Sequence, residues 1–118
     1  MVSKDDDSAE SRPPTLEDLV ELCRQLNSRN AKYIVVGGMA MVQLGFVRAT
    51  EDIDLLVETS KKNEKAVIDS VATLPDHAAE ELRPGEISQY EVIRVADEIV
   101  VDLMKKACGI EYSEAEKG

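Results

Sequence analysis

Two aspartates, Asp52 and Asp54, flank a single isoleucine in the run "EDIDLLVE". Their neighbours Ile53, Leu55, Leu56 and Val57 are aliphatic, so the run reads as a strand. Side chains alternate between the faces of a strand. Asp52, Asp54 and Leu56 therefore point one way, and Ile53, Leu55 and Val57 the other. The apolar set must meet the core, which leaves two carboxylates on one face, about 7 Å apart or less at their bases. Such a pair repels, and one carboxyl should hold its proton more tightly than usual. A divalent cation removes that cost by taking both as ligands. Hard Mg²⁺ prefers carboxylate oxygens and shares its shell readily with phosphate.

Asp102 repeats the pattern in "IVVDLM", with Val101 and Leu103 facing away from it. If its strand lies beside the Asp52 strand, three carboxylates converge. Three can hold two Mg²⁺ ions about 3.5–4 Å apart, which suits in-line displacement at phosphorus. Gly37 and Gly38 end another apolar run, "KYIVVGG". Without side chains they let a phosphate approach the backbone, and a following helix N-terminus favours the anion. Each signal has a plainer explanation when taken alone. Alternating aspartates fit a solvated strand face, a glycine pair fits a tight turn, and Asp102 fits an exposed hairpin. Their combination points to phosphate and metal.

The elements that must position these residues follow from periodicity and punctuation. Thr15 can cap a helix over "LEDLVELCRQLNSRN", where Leu16, Leu19, Val20, Cys23 and Leu26 recur at helical spacing. "KYIVVGG" is a short buried strand and "MAMVQLGF" a short helix. "DIDLLVE" is the second strand. "KKNEKAVIDSVATL" is an amphipathic helix with Ala66, Val67, Val71 and Leu74 on one side, and Pro75 stops it. "PDHAAEELRPGE" is loop with room for one helical turn, and it leaves His77, the single histidine, exposed. "ISQYEVIRVADEIVVDLM" reads as two strands joined by a tight turn at Asp97-Glu98. The last segment is weakly patterned, with the start of a helix at "SEAEKG". The order implies an α/β (α+β) fold, a mixed sheet with helices packed mainly on one face.

Bulk properties narrow the function classes. The chain has 118 residues, enough for one domain with a real core. Residues 1–14 are acidic, end in two prolines and read as a disordered arm, leaving 15–118 as the domain. The net charge of −10 disfavours nonspecific binding to DNA or other polyanions. Aromatic residues make up 3%, too few for a base-stacking platform. Cys23 and Cys108 fit no metal or redox spacing and read as small reduced residues. Nothing resembles a signal peptide or a membrane span, so the expected location is cytoplasmic.

With "VGG", "EDIDLL" and "VVDLM" in this order, the chain resembles the DNA polymerase β-like nucleotidyltransferase superfamily. "RATEDID" looks like a variant seen in small bacterial members, some of them in toxin–antitoxin or abortive-infection systems. The resemblance covers about Leu16 to Ala115. It implies that Gly37 and Gly38 cradle nucleotide phosphates and that Asp52 and Asp54 bind both metals. Asp102 would hold the metal that activates the acceptor hydroxyl, or help remove its proton. Arg48 and Thr50 would reach the triphosphate, although Arg48 could instead pair with Glu51 or Asp52. The implied cofactor is Mg²⁺, two ions, with Mn²⁺ as a substitute. The implied reaction moves a nucleoside monophosphate from a nucleoside triphosphate to an acceptor hydroxyl and releases pyrophosphate. The acceptor is a small molecule, a protein or an RNA end. A rival reading keeps the fold but makes the chain a catalytically weak or inactive binding module, with a protein partner as in a toxin–antitoxin pair.

Overall fold

The structure is a computed structural model and describes residues 11–38 and 52–117. The first helix, α1, spans Leu16–Ser28. Thr15 and Asp18 cap it reciprocally. The Thr15 hydroxyl accepts from the Asp18 backbone N–H, and the Asp18 carboxylate accepts from the Thr15 N–H at 2.7 Å. Strands β1 (Tyr33–Val36) and β2 (Asp52–Val57) follow. Helix α2 covers Lys61–Val71, with Ser60 as its cap. A 3₁₀ turn at Ala78–Glu81 and a one-turn helix α3 at Glu86–Gln89 lead to β3 (Val92–Ala96) and β4 (Val100–Met104). A small hairpin, β5 (Lys106–Ala107) with β6 (Ile110–Glu111), and a last turn α4 (Tyr112–Ala115) complete the described chain.

The main sheet has the order β1-β2-β4-β3. β1 and β2 are antiparallel, β2 and β4 parallel, and β4 and β3 antiparallel, so the sheet is mixed and the fold α+β. The alternation read from the sequence decides which residues enter the core. Ile53, Leu55 and Val57 of β2 and Val101 and Leu103 of β4 are buried with Leu19, Leu22 and Leu26 of α1 and Val67 and Val71 of α2. Leu56, on the other face of β2 with the aspartates, is also buried but lies outside that cluster, at the end of β2 approached by β5.

Three polar side chains hold the strands in register. Asn63 of α2 accepts from the Lys32 N–H and donates to the carbonyls of Lys32 and Glu58, clamping the start of β1 to the end of β2. Glu64 is fully buried and accepts from the N–H groups of Gly85 and Ile87, the start of α3. Asp97 is fully buried in the β3–β4 turn and accepts from the N–H groups of Asp76, Ala78 and Glu98. Buried carboxylates survive only with such donors, because an unpaired charge away from water is costly.

Several expectations need correction. Ile87–Gln89 is helical rather than strand: Gly85 turns the chain at φ +104 and Glu64 gathers the amides that follow. Helix α2 ends at Val71, before Pro75, and buries Asn63, Glu64, Ile68 and Ser70 besides Val67 and Val71. Ser11 and Arg12, assigned to the arm, are held in place. The Ser11 hydroxyl donates to the Asp97 carbonyl, and Arg12 bridges Glu98 and Asp18. The Arg12 guanidinium, which leads the other causes, lowers the Asp18 carboxyl to about 2. Cys108 is exposed in the β5–β6 turn, and His77 is exposed as expected. Residues 1–10, the expected helix in "MAMVQLGF", Arg48 and Thr50 lie outside the described residues. No described helix is long and apolar enough to cross a membrane.

Asp97→Ala removes the acceptor of three backbone amides and should lower the unfolding free energy by about 3 kcal/mol, the range for orphaning buried donors of a charged group. Urea unfolding measures it. A cost under about 0.5 kcal/mol, the size of an ordinary surface change, would mean that the turn does not depend on this carboxylate.

Candidate functional site

The register places one residue from each strand in a single row across the sheet. Val36 of β1 stands opposite Asp54 of β2. Asp54 stands opposite Asp102 of β4, and Asp102 opposite Arg94 of β3. Residues directly opposite one another on neighbouring strands point to the same face. Asp54 and Asp102 therefore share one face, because their strands lie side by side, and Asp52 joins them from one pleat earlier. One carboxylate oxygen from each of Asp52, Asp54 and Asp102 lies within 4.8 Å of the others.

This spacing suits a hard cation. Trans oxygens around octahedral Mg²⁺ sit about 4.2 Å apart, twice the Mg–O distance, so small side-chain rotations close the gap. Asp52 and Asp54 are partly exposed and Asp102 is 6% exposed. The cluster therefore opens to solvent on one side and is backed by the sheet on the other.

Gly37 follows Val36 and bends the chain at φ +75, a conformation L side chains rarely adopt. It also has no room for a side chain, because a Cβ there would run into the Asp54 carboxylate. The glycine is thus required twice, by the bend and by the carboxylate packed against it. Gly38 comes next and is helical. The turn and the carboxylates, read separately from the sequence, are in contact.

Charge is unevenly relieved across the cluster. Arg94 was missed in the sequence reading. Its Nε and Nη2 donate to the two oxygens of Asp102, each at 3.0 Å, and Nη2 also donates to Asp52 at 3.1 Å. The Asp102 carboxylate in turn raises the guanidinium pKa above its ordinary value. Among the described residues, no cationic side chain is paired with Asp54. Burial, then the charges of Asp52 and Asp102, push its carboxyl up to about 6. The repulsion expected between Asp52 and Asp54 therefore falls on Asp54. The one sequence signal for Arg94 was its place in the strand paired with the Asp102 strand, and no spacing rule fixes that register in advance.

The groove along α1, lined by Leu19, Val20, Cys23, Arg24, Asn27 and Ser28, includes none of these residues. It also lacks a carboxylate cluster or glycine bend, so the chemistry lies with the sheet.

A mixed sheet with a glycine bend pressed against Asp54, and Asp102 beside it on a parallel strand, is consistent with a small nucleotidyltransferase-superfamily protein. The chain belongs to the family described as "Nucleotidyl transferase of unknown function (DUF2204)", whose model matches residues 15–115. No curated protein and no solved structure matches it.

Two outcomes test this geometry. A carboxyl whose pKa rises on folding stabilises the fold while protonated, and that contribution is lost as pH rises from about 4 through about 6. Asp54→Asn should therefore flatten the stability profile across that window in EDTA and exceed the wild type at pH 7.5. Urea unfolding at a series of pH values reads it, and parallel profiles would show that Asp54 carries no strain. Gly37→Ala should cost about 1–2 kcal/mol from the left-handed bend alone. The added methyl should also displace the Asp54 carboxylate. Wild-type stability in that variant would contradict the described turn.

Proposed function

We propose that this protein transfers a nucleoside monophosphate from a nucleoside triphosphate to an acceptor hydroxyl. One observation carries the reading: the parallel register of Asp54 with Asp102, beside the Gly37 bend. Asp52, Asp54 and Asp102 would hold Mg²⁺, two ions, with Mn²⁺ able to replace it. The bound cations would neutralise phosphate charge and lower the pKa of the acceptor hydroxyl.

The chain's own residues would do the positioning. The backbone of Gly37 and Gly38 receives the triphosphate, where a side chain would block it. Arg48 and Thr50, which lie outside the described residues, would be further contacts for the triphosphate. Asp102, on the β3 side of the row, faces the acceptor. As the acceptor oxygen bonds to the α-phosphorus, the bond from that phosphorus to the bridging oxygen breaks. The electron pair leaves with pyrophosphate, and the hydroxyl proton passes to Asp102 or through it to water. Catalysis of this kind is mostly alignment and charge compensation. The acceptor is a small molecule, a protein or an RNA end, and the location is cytoplasmic.

Arg94 favours a second reading. Its guanidinium already sits on Asp102 and Asp52, so those carboxylates have a counter-charge without any metal. A toxin–antitoxin partner belongs to this reading.

The two are separated by ligand-induced stability. ATP, GTP, CTP or UTP with Mg²⁺ should raise the melting temperature, by about 1.4 kcal/mol at tenfold the Kd. That corresponds to roughly 5 °C for a domain of this size. Nucleotide without metal should give little, and Asp102→Asn should abolish the gain. Pyrophosphate release with a supplied acceptor then reports turnover. No shift with any of the four at millimolar concentration would favour the binding module.

A further inference from the structure

We propose that Arg94 is a positioning residue that competes with metal for Asp102 and Asp52. The inference rests on the metal reading of that site and concerns what holds the carboxylates before metal arrives. Arg94 lies directly opposite Asp102 in the β3–β4 pairing. Its guanidinium takes both oxygens of Asp102 in a fork and reaches one oxygen of Asp52. These are oxygens that a cation bridging the cluster would need.

A planar fork matched to a carboxylate fixes its orientation as well as its charge. Arg94 therefore presets the orientation of Asp102, tethers one oxygen of Asp52 and offsets part of the charge of three acids. It also blocks the lone pairs it binds, and two positive groups at the same oxygens repel. A metal at Asp102 therefore meets a guanidinium on whichever oxygen it takes, whereas Asp52 keeps its other oxygen free of Arg94.

The side chain is suited to leaving. It is 61% exposed and lies on the outer strand of the sheet, so release needs no change in the core. Among the described residues its side-chain hydrogen bonds reach Asp102 and Asp52 and none reaches Asp54. Arg94 therefore leaves Asp54 unblocked, and a cation arriving there does not first have to displace this guanidinium. A guanidinium serving only to tie β3 to β4 would not need to reach β2, since the backbone ladder already pairs those strands.

The test measures metal alone, on the full chain at pH 7.5 without nucleotide. Mg²⁺ is titrated by calorimetry and Mn²⁺ by its paramagnetic signal, for the wild type, Arg94→Gln and Arg94→Lys. Arg94→Gln should bind either ion roughly fivefold more tightly, the upper range for releasing an exposed ion pair. Arg94→Lys keeps the charge but loses the fork and should fall between. Metal-free Arg94→Gln should melt below the wild type, with saturating Mg²⁺ narrowing the difference. If Arg94→Gln does not fold without metal, Arg94→Lys decides the matter by the same criterion. Unchanged or weaker metal binding in the variants, with binding intact in the wild type, overturns this proposal and leaves the metal site standing. Absence of binding in all three proteins overturns both.

Discussion

The parallel pairing of β2 with β4 is the constraint on which everything else in this protein depends. It aligns Asp54 with Asp102 and, by the same register, Ile53 with Val101 and Leu55 with Leu103. One face of the pair is therefore acidic and the other aliphatic. A slip of one residue would reverse both faces of the moving strand, burying Asp102 in the core and exposing Val101 and Leu103. The core and the site are thus specified together. The aliphatic side chains hold the register because only one alignment buries them, and that alignment brings the acids to one place.

Buried polar groups outside the site reinforce this alignment. Asn63 fixes the far end of the β1–β2 pair, where an error would carry Gly37 away from Asp54. Asp97 closes the β3–β4 turn and thereby sets Arg94 against Asp102. Glu64 anchors the approach to β3 by holding the first amides of α3. Each accepts from backbone amides of a segment distant in sequence, so each stabilises one topology rather than stabilising generally.

The electrostatics of the site follow from what the sheet can supply. Among the described residues, three carboxylates converge and one guanidinium meets them, which leaves this set with excess negative charge. Asp54 is packed against Gly37, and its burial, then the charges of Asp52 and Asp102, raise its carboxyl to about 6. A cation at the cluster would relieve this repulsion. The glycine bend and the Asp54 carboxylate are adjacent, so on the proposed reading one small region would meet both the metal and the phosphates.

Much of this was legible in the chain itself. Period-two alternation fixed the faces of "DIDLLV" and "VVDLM", because a strand has no other way to separate acids from aliphatics. Thr15 and the 3.6-residue period marked α1, since capping and helical spacing act within a few residues. The Gly37 bend was visible as a glycine pair between a strand and the aspartates. Tertiary structure decided the rest. Whether Asp102 met its companions depended on strand order, which joins residues 48 positions apart. The roles of Arg94, Asn63, Glu64 and Asp97 arise only where distant segments touch, so local pattern gave no sign of them. Ile87 looked like the start of a strand until Glu64 captured the amides around it. Short-range sterics and periodicity are written into neighbouring residues; charge partners are chosen by the register of strands that the chain brings together only on folding.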